Sequence, residues 1–510
     1  MELSYARAGP GRDLLNGAVL DYRASSLTFD PMSACDRSWT IAPTLAWFGG
    51  FMVVGLVLLD GGVSALADRV SARRPRSAPA AGPAFAPRVR VAAADDGEDG
   101  GDPAPHVAVA TPGRAATGSG SASAAPASNG PLEDACLDGT PAACKRWAMD
   151  GFYRAVTQEK AGKLGRPVRV SWYGDSVIAT DAIPGRLRTK LQGALGDGGP
   201  GFVFIVPPHR FCAHEAITRS SGGTWTTHAI STQVAPDGWY GVGGSSAESD
   251  DGRSSIKLVA GTVTNVELYY QAQPHGGTAT VTTDGALALT IDTKADAKAA
   301  GYAPVKLDAG VRDIRIEASG RVKLFGVDLE NGSGAVVDNL GIVSVHVKSF
   351  ATHDMDAWTG ELAHRSSDLV MIMIGANEAQ WLGPHDQDMK DYAAHYGKVL
   401  GPIRKARPDA TCLVVSPTDQ AEAKDGAYPS RPVMPVLVDA QRAAAKAAGC
   451  AFFSTYDWMG AKGSAAKWYA KGLVGSDFQH LSQKGANKLG DAVYDALVAG
   501  LARYTAAPGT

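Results

Sequence analysis

Residues Val168–Ser176 read VRVSWYGDS and predict a buried strand that ends in a tight turn. The segment is rich in β-branched and aromatic residues, which favour strands, and it stops at Gly-Asp-Ser. After the turn, apolar residues recur every four positions and predict one buried helix face, at Ile183, Leu187, Leu191 and Leu195. A serine at such a turn lies beside the unpaired N–H groups of a helix start, which suits an acyl-transfer nucleophile. A simple helix cap is the alternative interpretation of Ser176.

The same alternation of strands and helices returns in the last third of the chain. Apolar runs at Leu369–Ile374, Cys412–Val415 and Ala451–Phe453 predict strands of a central parallel sheet. Helical patterns follow at about Pro435–Ala448 and Gln483–Ala502, and the sequence therefore predicts an α/β sheet covered by helices on both faces. Nearer the start of this region, Thr140-Pro141 predicts the beginning of a helix that runs to about Lys160.

Residues 217–335 have a different pattern, with short alternating segments between glycine-rich turns. Asn265–Gln271 and Val322–Leu329 are typical of these segments. Such spacing predicts a β-sandwich or jelly roll, inserted into the α/β domain. Residues 131–216 and 336–510 then form the first and second parts of that domain.

The N-terminal quarter of the chain predicts a membrane anchor and a tether. Trp39–Leu59 contains no charged residue and is long enough to cross a bilayer as one helix, with 1–38 as a cytoplasmic segment. Residues 60–130 are dominated by Ala, Pro, Gly and Ser and predict a disordered linker.

The side of the membrane on which the large C-terminal part lies depends on two opposing signals. Arginines that follow the span favour a cytoplasmic location by the positive-inside rule. Cys136 and Cys144 flank a Gly-Thr-Pro turn and favour a disulfide in an oxidising compartment. Cys412 and Cys450 are compatible with a disulfide or with buried thiols. We give more weight to the first cysteine pair and expect an inner-membrane protein with a periplasmic domain.

Net charge excludes one class of partner. The formal charge is −3 over 510 residues, and no basic stripe with interleaved aromatic residues occurs. The sequence therefore predicts no nucleic-acid binding.

Side chains suited to acyl transfer follow predicted strands or precede predicted helices. Ser176 follows the first strand, Asn377 follows Leu369–Ile374, and Asp477 and His480 precede the last helix. A histidine accepts the proton of a serine hydroxyl, and an aspartate fixes the tautomer of that histidine. An asparagine amide and a backbone N–H can stabilise the oxyanion that forms. Taken singly, Asp477 is equally compatible with a helix cap, and Asn377 with a left-handed turn.

Taken together, these segments resemble the SGNH/GDSL hydrolases. The resemblance rests on YGDS at 173–176, GANE at 375–378 and DFQHLS at 477–482, which are similar to blocks I, III and V of that family. Residues 178–202 are similar to the subgroup that contains bacterial peptidoglycan O-acetylesterases. This resemblance implies a flavodoxin-like three-layer fold, an inserted carbohydrate-binding-like β-module, and ester hydrolysis without a metal or cofactor.

The resemblance also implies a role for each site residue. Ser176 is the nucleophile, His480 the general base and Asp477 its orienting partner. The oxyanion hole consists of the Ser176 N–H, Asn377 and a block II glycine. After Asn339–Ile342 this chain has Val-Ser-Val instead, and Ser344 is the best positional match to that glycine. A further departure is Glu378, where the family usually has aspartate.

The predicted function is a serine esterase that deacetylates an O-acetylated envelope glycan, peptidoglycan or another polysaccharide. A glycan O-acetyltransferase with the same triad is one alternative. A non-catalytic glycan-binding protein on a relic SGNH fold is the other, and the missing block II glycine is its main support.

Two other clusters have alternative interpretations. His209, Cys212 and His214 resemble metal ligands by residue type, but they lack the paired spacing of zinc sites and are interpreted as packing or groove residues. Trp239 and Tyr240 are suited either to stacking on a sugar ring or to the core.

Overall fold

The computed structural model describes residues 132–506. The strands are β1 (Leu132–Glu133), β2 (Cys136–Thr140), β3 (Ala143–Trp147), β4 (Val168–Gly174), β5 (Gly201–Val203), β6 (Ile217–Gly222), β7 (Thr226–Ala229), β8 (Ser245–Ser249), β9 (Arg253–Leu258), β10 (Val263–Ala272), β11 (Thr278–Thr283), β12 (Ala286–Asp292), β13 (Ala299–Val311), β14 (Asp313–Ser319), β15 (Val322–Glu330), β16 (Ala335–Gly341), β17 (Leu369–Met373), β18 (Thr411–Val415) and β19 (Ala451–Phe453). The helices are α1 (Asp150–Lys160), α2 (Ser176–Ala179), α3 (Ala182–Leu195), α4 (Met355–Arg365), α5 (Asp386–Ala406), α6 (Met434–Ala447), α7 (Thr455–Trp458), α8 (Ser464–Ala470) and α9 (Gln483–Ala506).

A six-stranded sheet in the order β1-β19-β18-β17-β4-β16 forms the centre of the α/β part. All neighbouring strands in it are parallel except β1, which pairs antiparallel with β19. Taken by their position in the chain, the parallel strands lie in the order 2-1-3-4-5, which is the flavodoxin-like order. The strand order reverses between β4 and β17, and ligands bind at such a point, beyond the carboxyl ends of the strands. The predicted flavodoxin-like α/β fold is confirmed.

Successive residues of the central strands enter two different cores. In β17, Leu369 and Met371 pack with helices α1, α3 and α9, whereas Val370 and Ile372 pack with α4, α5 and α6. Because side chains alternate along a strand, a strand with a core on each face must be apolar throughout. The all-apolar run in the sequence of β17 is a direct consequence of its burial on both faces.

Between α3 and β16 the chain forms two antiparallel sheets. One has the order β13-β10-β15-β8-β7 with β5 paired to β15, and the other has the order β12-β11-β14-β9-β6. Side chains from both, among them Val281 and Leu324, share one hydrophobic core. Gly201–Val203 precedes the predicted boundary at 217 yet pairs with β15, so the antiparallel region begins earlier in the chain than expected.

The antiparallel sheets are not separated from the α/β part by a polar boundary. Tyr269 of β10 and Phe325 of β15 belong to the same core cluster as Trp358 of α4. Beside this cluster the buried guanidinium of Arg365 bonds to side-chain carboxylates of both regions, namely Asp328, Glu330 and Asp338. Removing one partner from such a buried ion cluster typically costs about 3–5 kcal/mol. The two regions are therefore packed as one unit.

The predicted helix from Thr140 to Lys160 is wrong in its first half. Cys136–Thr140 and Ala143–Trp147 form an antiparallel hairpin that a Cys136–Cys144 disulfide closes, and the helix begins only at Asp150. The misleading signal was Pro141, because proline favours the second position of a turn as well as the first turn of a helix.

No helix within residues 132–506 combines the length and the apolar character that a membrane crossing needs. The predicted cytoplasmic segment 1–38, membrane helix 39–59 and linker 60–130 lie outside the described residues.

Candidate active site

Ser176 is the first residue of the short helix α2, directly after strand β4. Asp175 caps this helix, because its Oδ1 accepts a hydrogen bond of 2.9 Å from the Val177 N–H. A Cβ atom at Gly174 would lie 2.3 Å from the side chain of Ile178, so the close approach of strand and helix requires glycine there. Burial raises the pKa of Asp175 to about 6. The turn thus presents the serine at the carboxyl edge of the sheet.

The structure brings Ser176, His480 and Asp477 into one line of contacts. Ser176 Oγ lies 2.7 Å from His480 Nε2, and His480 Nδ1 lies 2.6 Å from Asp477 Oδ2. With the ring proton on Nδ1 and donated to Asp477, Nε2 is free to accept the serine proton. Asp477 is held in place by its Oδ1 atom, which accepts hydrogen bonds of 3.0 Å from the backbone N–H groups of Gln479 and His480.

The electrostatics of this pair favour a charged imidazole. The hydrogen bond to Asp477 raises the pKa of His480 above its usual value, and partial burial opposes this only in part. Burial alone would raise the pKa of Asp477, but hydrogen bonds from His480 and from the backbone outweigh it, and that pKa is lowered. The carboxylate therefore remains ionised and stabilises the imidazolium that a proton transfer from serine would create.

Ser344 lies in the turn that follows β16, with a φ of 64°. This is the left-handed region that glycine enters at no steric cost and other residues rarely adopt. The serine therefore takes the backbone conformation typical of a glycine turn. Neither its N–H nor that of Ser176 has a hydrogen-bond partner within the described part of the chain.

Asn377 contributes to the same region from the end of β17. Its Nδ2 donates a hydrogen bond of 2.7 Å to the Val345 carbonyl, one residue beyond Ser344. An amide nitrogen carries two hydrogens, so one remains for a second acceptor. Ser176, Ser344 and Asn377 are the three oxyanion donors predicted from the sequence, and each has an N–H hydrogen available. Their convergence on one oxygen atom stays a prediction.

Two groups have roles in holding the loops around Ser344 and His480 that were not predicted from the sequence. Glu378 is buried and its Oε1 accepts a hydrogen bond of 2.6 Å from the Val347 N–H, while burial raises its pKa to about 7. Gln380 Nε2 lies 2.7 Å from Gln420 Oε1 and 3.0 Å from Gln479 Oε1. Only the position of Glu378 directly after Asn377 was visible in the sequence, because the amide contacts join distant segments.

The other clusters singled out in the sequence lie partly in the interior: Cys212, His214 and Tyr240 are buried, whereas His209 and Trp239 are half-buried. Burial lowers the pKa of His214 to about 3, and the Cys212 thiol lies 3.8 Å from the Gly341 carbonyl. Within residues 132–506 no group of three or more His, Cys, Asp or Glu side chains has the arrangement of a metal site. Tyr240 is a core residue, whereas Trp239 is half-buried beneath the Lys298 ammonium, 4.4 Å from its ring centre.

Residues 319–488 match the model of the GDSL-like Lipase/Acylhydrolase family. The chain contains a GDSL-like lipase/acylhydrolase domain. The matched segment includes Asn377, Asp477 and His480. Ser176 precedes this segment in the chain and is separated from it by most of the antiparallel strands. This GDSL-like domain identifies the chain as a carboxylic ester hydrolase.

A solved structure with a TM-score above 0.5 supports the fold of the GDSL-like domain. A structure described as "Peptidoglycan O-acetylesterase in action, 5 min" is 21% identical, covers 69% of this chain and 96% of its own, and superposes with a TM-score of 0.60. A family two carbohydrate esterase from Clostridium thermocellum in complex with cellohexaose is 10% identical over 55% of this chain and 99% of its own, with a TM-score of 0.25. No curated protein matches the chain.

Proposed function

We propose that the protein is a serine esterase that removes acetyl groups from an O-acetylated envelope glycan. The observation that carries the catalytic part is the pair of contacts from Ser176 Oγ to His480 Nε2 and from His480 Nδ1 to Asp477 Oδ2, at 2.7 and 2.6 Å. These distances are within the range for proton transfer between a nucleophile and its base.

In the acylation step, His480 Nε2 takes the proton of Ser176 Oγ as that oxygen bonds to the acetyl carbonyl carbon. The carbonyl electron pair moves to its oxygen, which accepts hydrogen bonds from the N–H groups of Ser176 and Ser344 and from Asn377 Nδ2. When this intermediate collapses, the bond from the acetyl carbon to the sugar oxygen breaks. His480 returns the proton to the sugar oxygen, and the acetyl group remains on Ser176.

Deacylation repeats these steps with water as the nucleophile. His480 takes a proton from water, the hydroxyl bonds to the acetyl carbon, and Ser176 leaves with the returned proton as acetate forms. The His480 side chain is 43% exposed, so solvent water has access to the base. Exclusion of water is what a transfer of the acetyl group to a sugar hydroxyl would need. This exposure supports hydrolysis over the acetyltransferase alternative.

The block II position supports an enzyme over a non-catalytic binding protein. Loss of the glycine was the main argument for a relic site, but Ser344 holds the glycine-like φ of 64° and leaves its N–H without a partner in the described chain. A serine in the left-handed backbone region is less stable than one in a relaxed conformation by about 1–2 kcal/mol. Strained residues of this kind cluster at functional sites.

The glycan part of the proposal rests on the likeness in fold to the peptidoglycan O-acetylesterase structure. The proposed location outside the cytoplasm is supported by two disulfides, Cys136–Cys144 and Cys412–Cys450. Disulfides persist in oxidising compartments such as the periplasm. In this proposal the segment 39–59 anchors the domain to the inner membrane.

Replacement of the nucleophile tests the mechanism. Ser176→Ala should lower acetate release from p-nitrophenyl acetate and from O-acetylated peptidoglycan by at least about a thousandfold. Ser220→Ala, at an exposed serine of β6, is the matched control and should leave both rates unchanged. Undiminished turnover by a folded Ser176→Ala protein would overturn the mechanism.

A further inference from the structure

Four aromatic side chains in residues 132–506 are largely exposed to solvent. They are Phe211, Trp381, Tyr428 and Tyr469, with exposed fractions of 51%, 57%, 46% and 42%. Exposed aromatic surface that is gathered in one area is typical of a binding site. Trp381, Tyr428 and Tyr469 lie beside segments that carry residues of the candidate active site.

Trp381 lies beside the segments that supply the oxyanion donors. It follows the short turn after Asn377, and its N–H donates a hydrogen bond of 3.1 Å to the Glu378 carbonyl. The His346 ring, two residues beyond Ser344, packs edge-on against the indole with ring centres 5.5 Å apart. Both neighbours belong to the oxyanion loops, so this exposed indole is fixed at that side of the site.

Tyr428 and Tyr469 lie beside the loop that carries the base. Their rings pack against Phe478, with ring centres 4.7 and 4.9 Å away, and Phe478 lies between Asp477 and His480 in the chain. Phe478 is buried beneath the two tyrosines, which keep an exposed surface of their own. This second aromatic group is fixed at the histidine side of the site.

One side-chain contact ties these two sides to each other. Gln380, which directly precedes Trp381, donates a hydrogen bond of 3.0 Å to Gln479, which directly precedes His480. The segment with Trp381 and the loop with Phe478 are therefore in direct contact, beside the residues proposed to react.

We propose that Trp381 and the Tyr428–Tyr469 pair are sugar-binding platforms for a glycan chain. The acetylated sugar lies at Ser176, and neighbouring sugars of the same chain stack on the aromatic groups at either side. The proposal deepens the proposed function, on which it rests, because it makes the substrate a polymer deacetylated within its length. A single acetylated sugar or a short terminal ester is then a poor substrate.

The chemistry of pyranose rings supports this assignment. One face of such a ring presents C–H groups that carry partial positive charge, and an aromatic face carries the negative part of its quadrupole. Stacking also removes apolar surface of both rings from water. Tyrosine and tryptophan add polar groups at the ring edge, which suit a substrate rich in hydroxyls.

Substrate length is the variable that tests the proposal. The probes are p-nitrophenyl acetate and two chemically O-acetylated carbohydrates, the pentamer and the monomer of N-acetylglucosamine. For the wild-type protein, kcat/KM should be at least about tenfold higher with the pentamer than with the monomer. In the Trp381→Ala variant the value for the pentamer should fall about tenfold, while the values for the monomer and for p-nitrophenyl acetate stay within about twofold. A tenfold change corresponds to about 1.4 kcal/mol.

Tyr428→Ala should have the same selective effect as Trp381→Ala. Leu287→Ala is the control, because Leu287 is 68% exposed on β12 and should affect none of the substrates. Since Tyr428 also packs against Phe478, an equal loss on all three substrates would mean that it acts through the triad, and would overturn its role as a platform.

The outcomes separate this proposal from the proposed function. Equal wild-type values for pentamer and monomer, or a Trp381→Ala variant with normal activity on the pentamer, would overturn the platforms while leaving the esterase intact. Loss of esterase activity in Ser176→Ala tests the mechanism alone, whatever the length of the substrate.

Discussion

Two loops at the active site each contain a residue other than glycine in the left-handed region, and they are held in different ways. Phe478, with a φ of 56°, is buried between Asp477 and His480 and packs against Tyr428 and Tyr469. Ser344, with a φ of 64°, is exposed. Its neighbours are held by a hydrogen bond that Asn377 donates to the Val345 carbonyl and one that Glu378 accepts from the Val347 N–H. Buried aromatic packing therefore adds to the hydrogen bonds of the loop that carries His480. The loop with the exposed Ser344 is anchored by hydrogen bonds to the end of another strand.

This difference matters because the two loops perform different tasks in the proposed mechanism. The Asp477–His480 loop needs a fixed side chain, since the imidazole has to stay in reach of Ser176. The loop around Ser344 needs only a fixed backbone N–H, and any side chain that tolerates the left-handed conformation leaves that donor in place. We therefore expect the loop with the base to be sensitive to side-chain chemistry, and the Ser344 loop to be sensitive to its anchors.

The largest expected effect is at Asp477. Asp477→Asn should lower kcat by about a thousandfold or more, because an amide can donate to Nδ1 and stabilise the wrong histidine tautomer. Steady-state kinetics with p-nitrophenyl acetate measure the loss, and circular dichroism confirms the fold. A loss of less than tenfold would show that Asp477 does not orient the base.

Asn377→Ala should have the next largest effect. It removes both a proposed oxyanion donor and the hydrogen bond to Val345, so we expect kcat to fall about a hundredfold. Glu378→Gln is the matched variant at the next position. The glutamine keeps a carbonyl acceptor for the Val347 N–H. It also mimics the neutral acid, a form that Glu378 itself adopts near neutral pH because its pKa is about 7. The kcat of this variant should therefore change by less than about threefold. An equal loss in Glu378→Gln would show that the effect of Asn377→Ala is not specific to the Asn377 amide.

The pH dependence of the activity should report the titration of His480. The base must be neutral to accept a proton, and its pKa is raised above the usual value by Asp477. Activity is therefore complete above the raised pKa and falls about tenfold per pH unit below it. In Asp477→Asn the midpoint of the kcat/KM profile should move to lower pH, since the group that favours the charged form is lost. A midpoint that stays in place would mean that another group controls the profile.

The smallest effect is expected at Ser344. Ser344→Gly should keep kcat/KM within about threefold and raise the free energy of unfolding by up to about 1 kcal/mol, because it relieves the left-handed strain at some entropic cost. Ser344→Val is its counterpart, since a β-branched residue resists a positive φ, and it should lose both activity and stability. Urea unfolding and steady-state kinetics measure the two quantities. A large loss in Ser344→Gly would show that the serine hydroxyl itself takes part.

The local sequence determined the parts of this protein that depend on nearest neighbours. The strand before Ser176, the apolar face of α3 and the i,i+3 relation of Asp477 to His480 follow from side-chain periodicity and reach alone. Their spacing also allowed Ser176, Asn377 and His480 to be named as one set, because the carboxyl ends of parallel strands meet at one edge of a sheet.

Only the tertiary structure decided how that edge is completed. A φ of 64° at Ser344, the anchors from Asn377 and Glu378, and the hydrogen bond between Gln380 and Gln479 all depend on contacts between segments far apart in the chain. The hairpin in place of the expected helix at Thr140 was likewise decided by a contact beyond nearest neighbours. Proline suits both a turn and a helix start, and the Cys136–Cys144 disulfide is compatible with the hairpin. The exposure of Trp381 could not be predicted from the sequence either, since most tryptophan side chains are largely buried. Sequence periodicity reports which face of an element is buried, but which loops touch depends on how the elements pack.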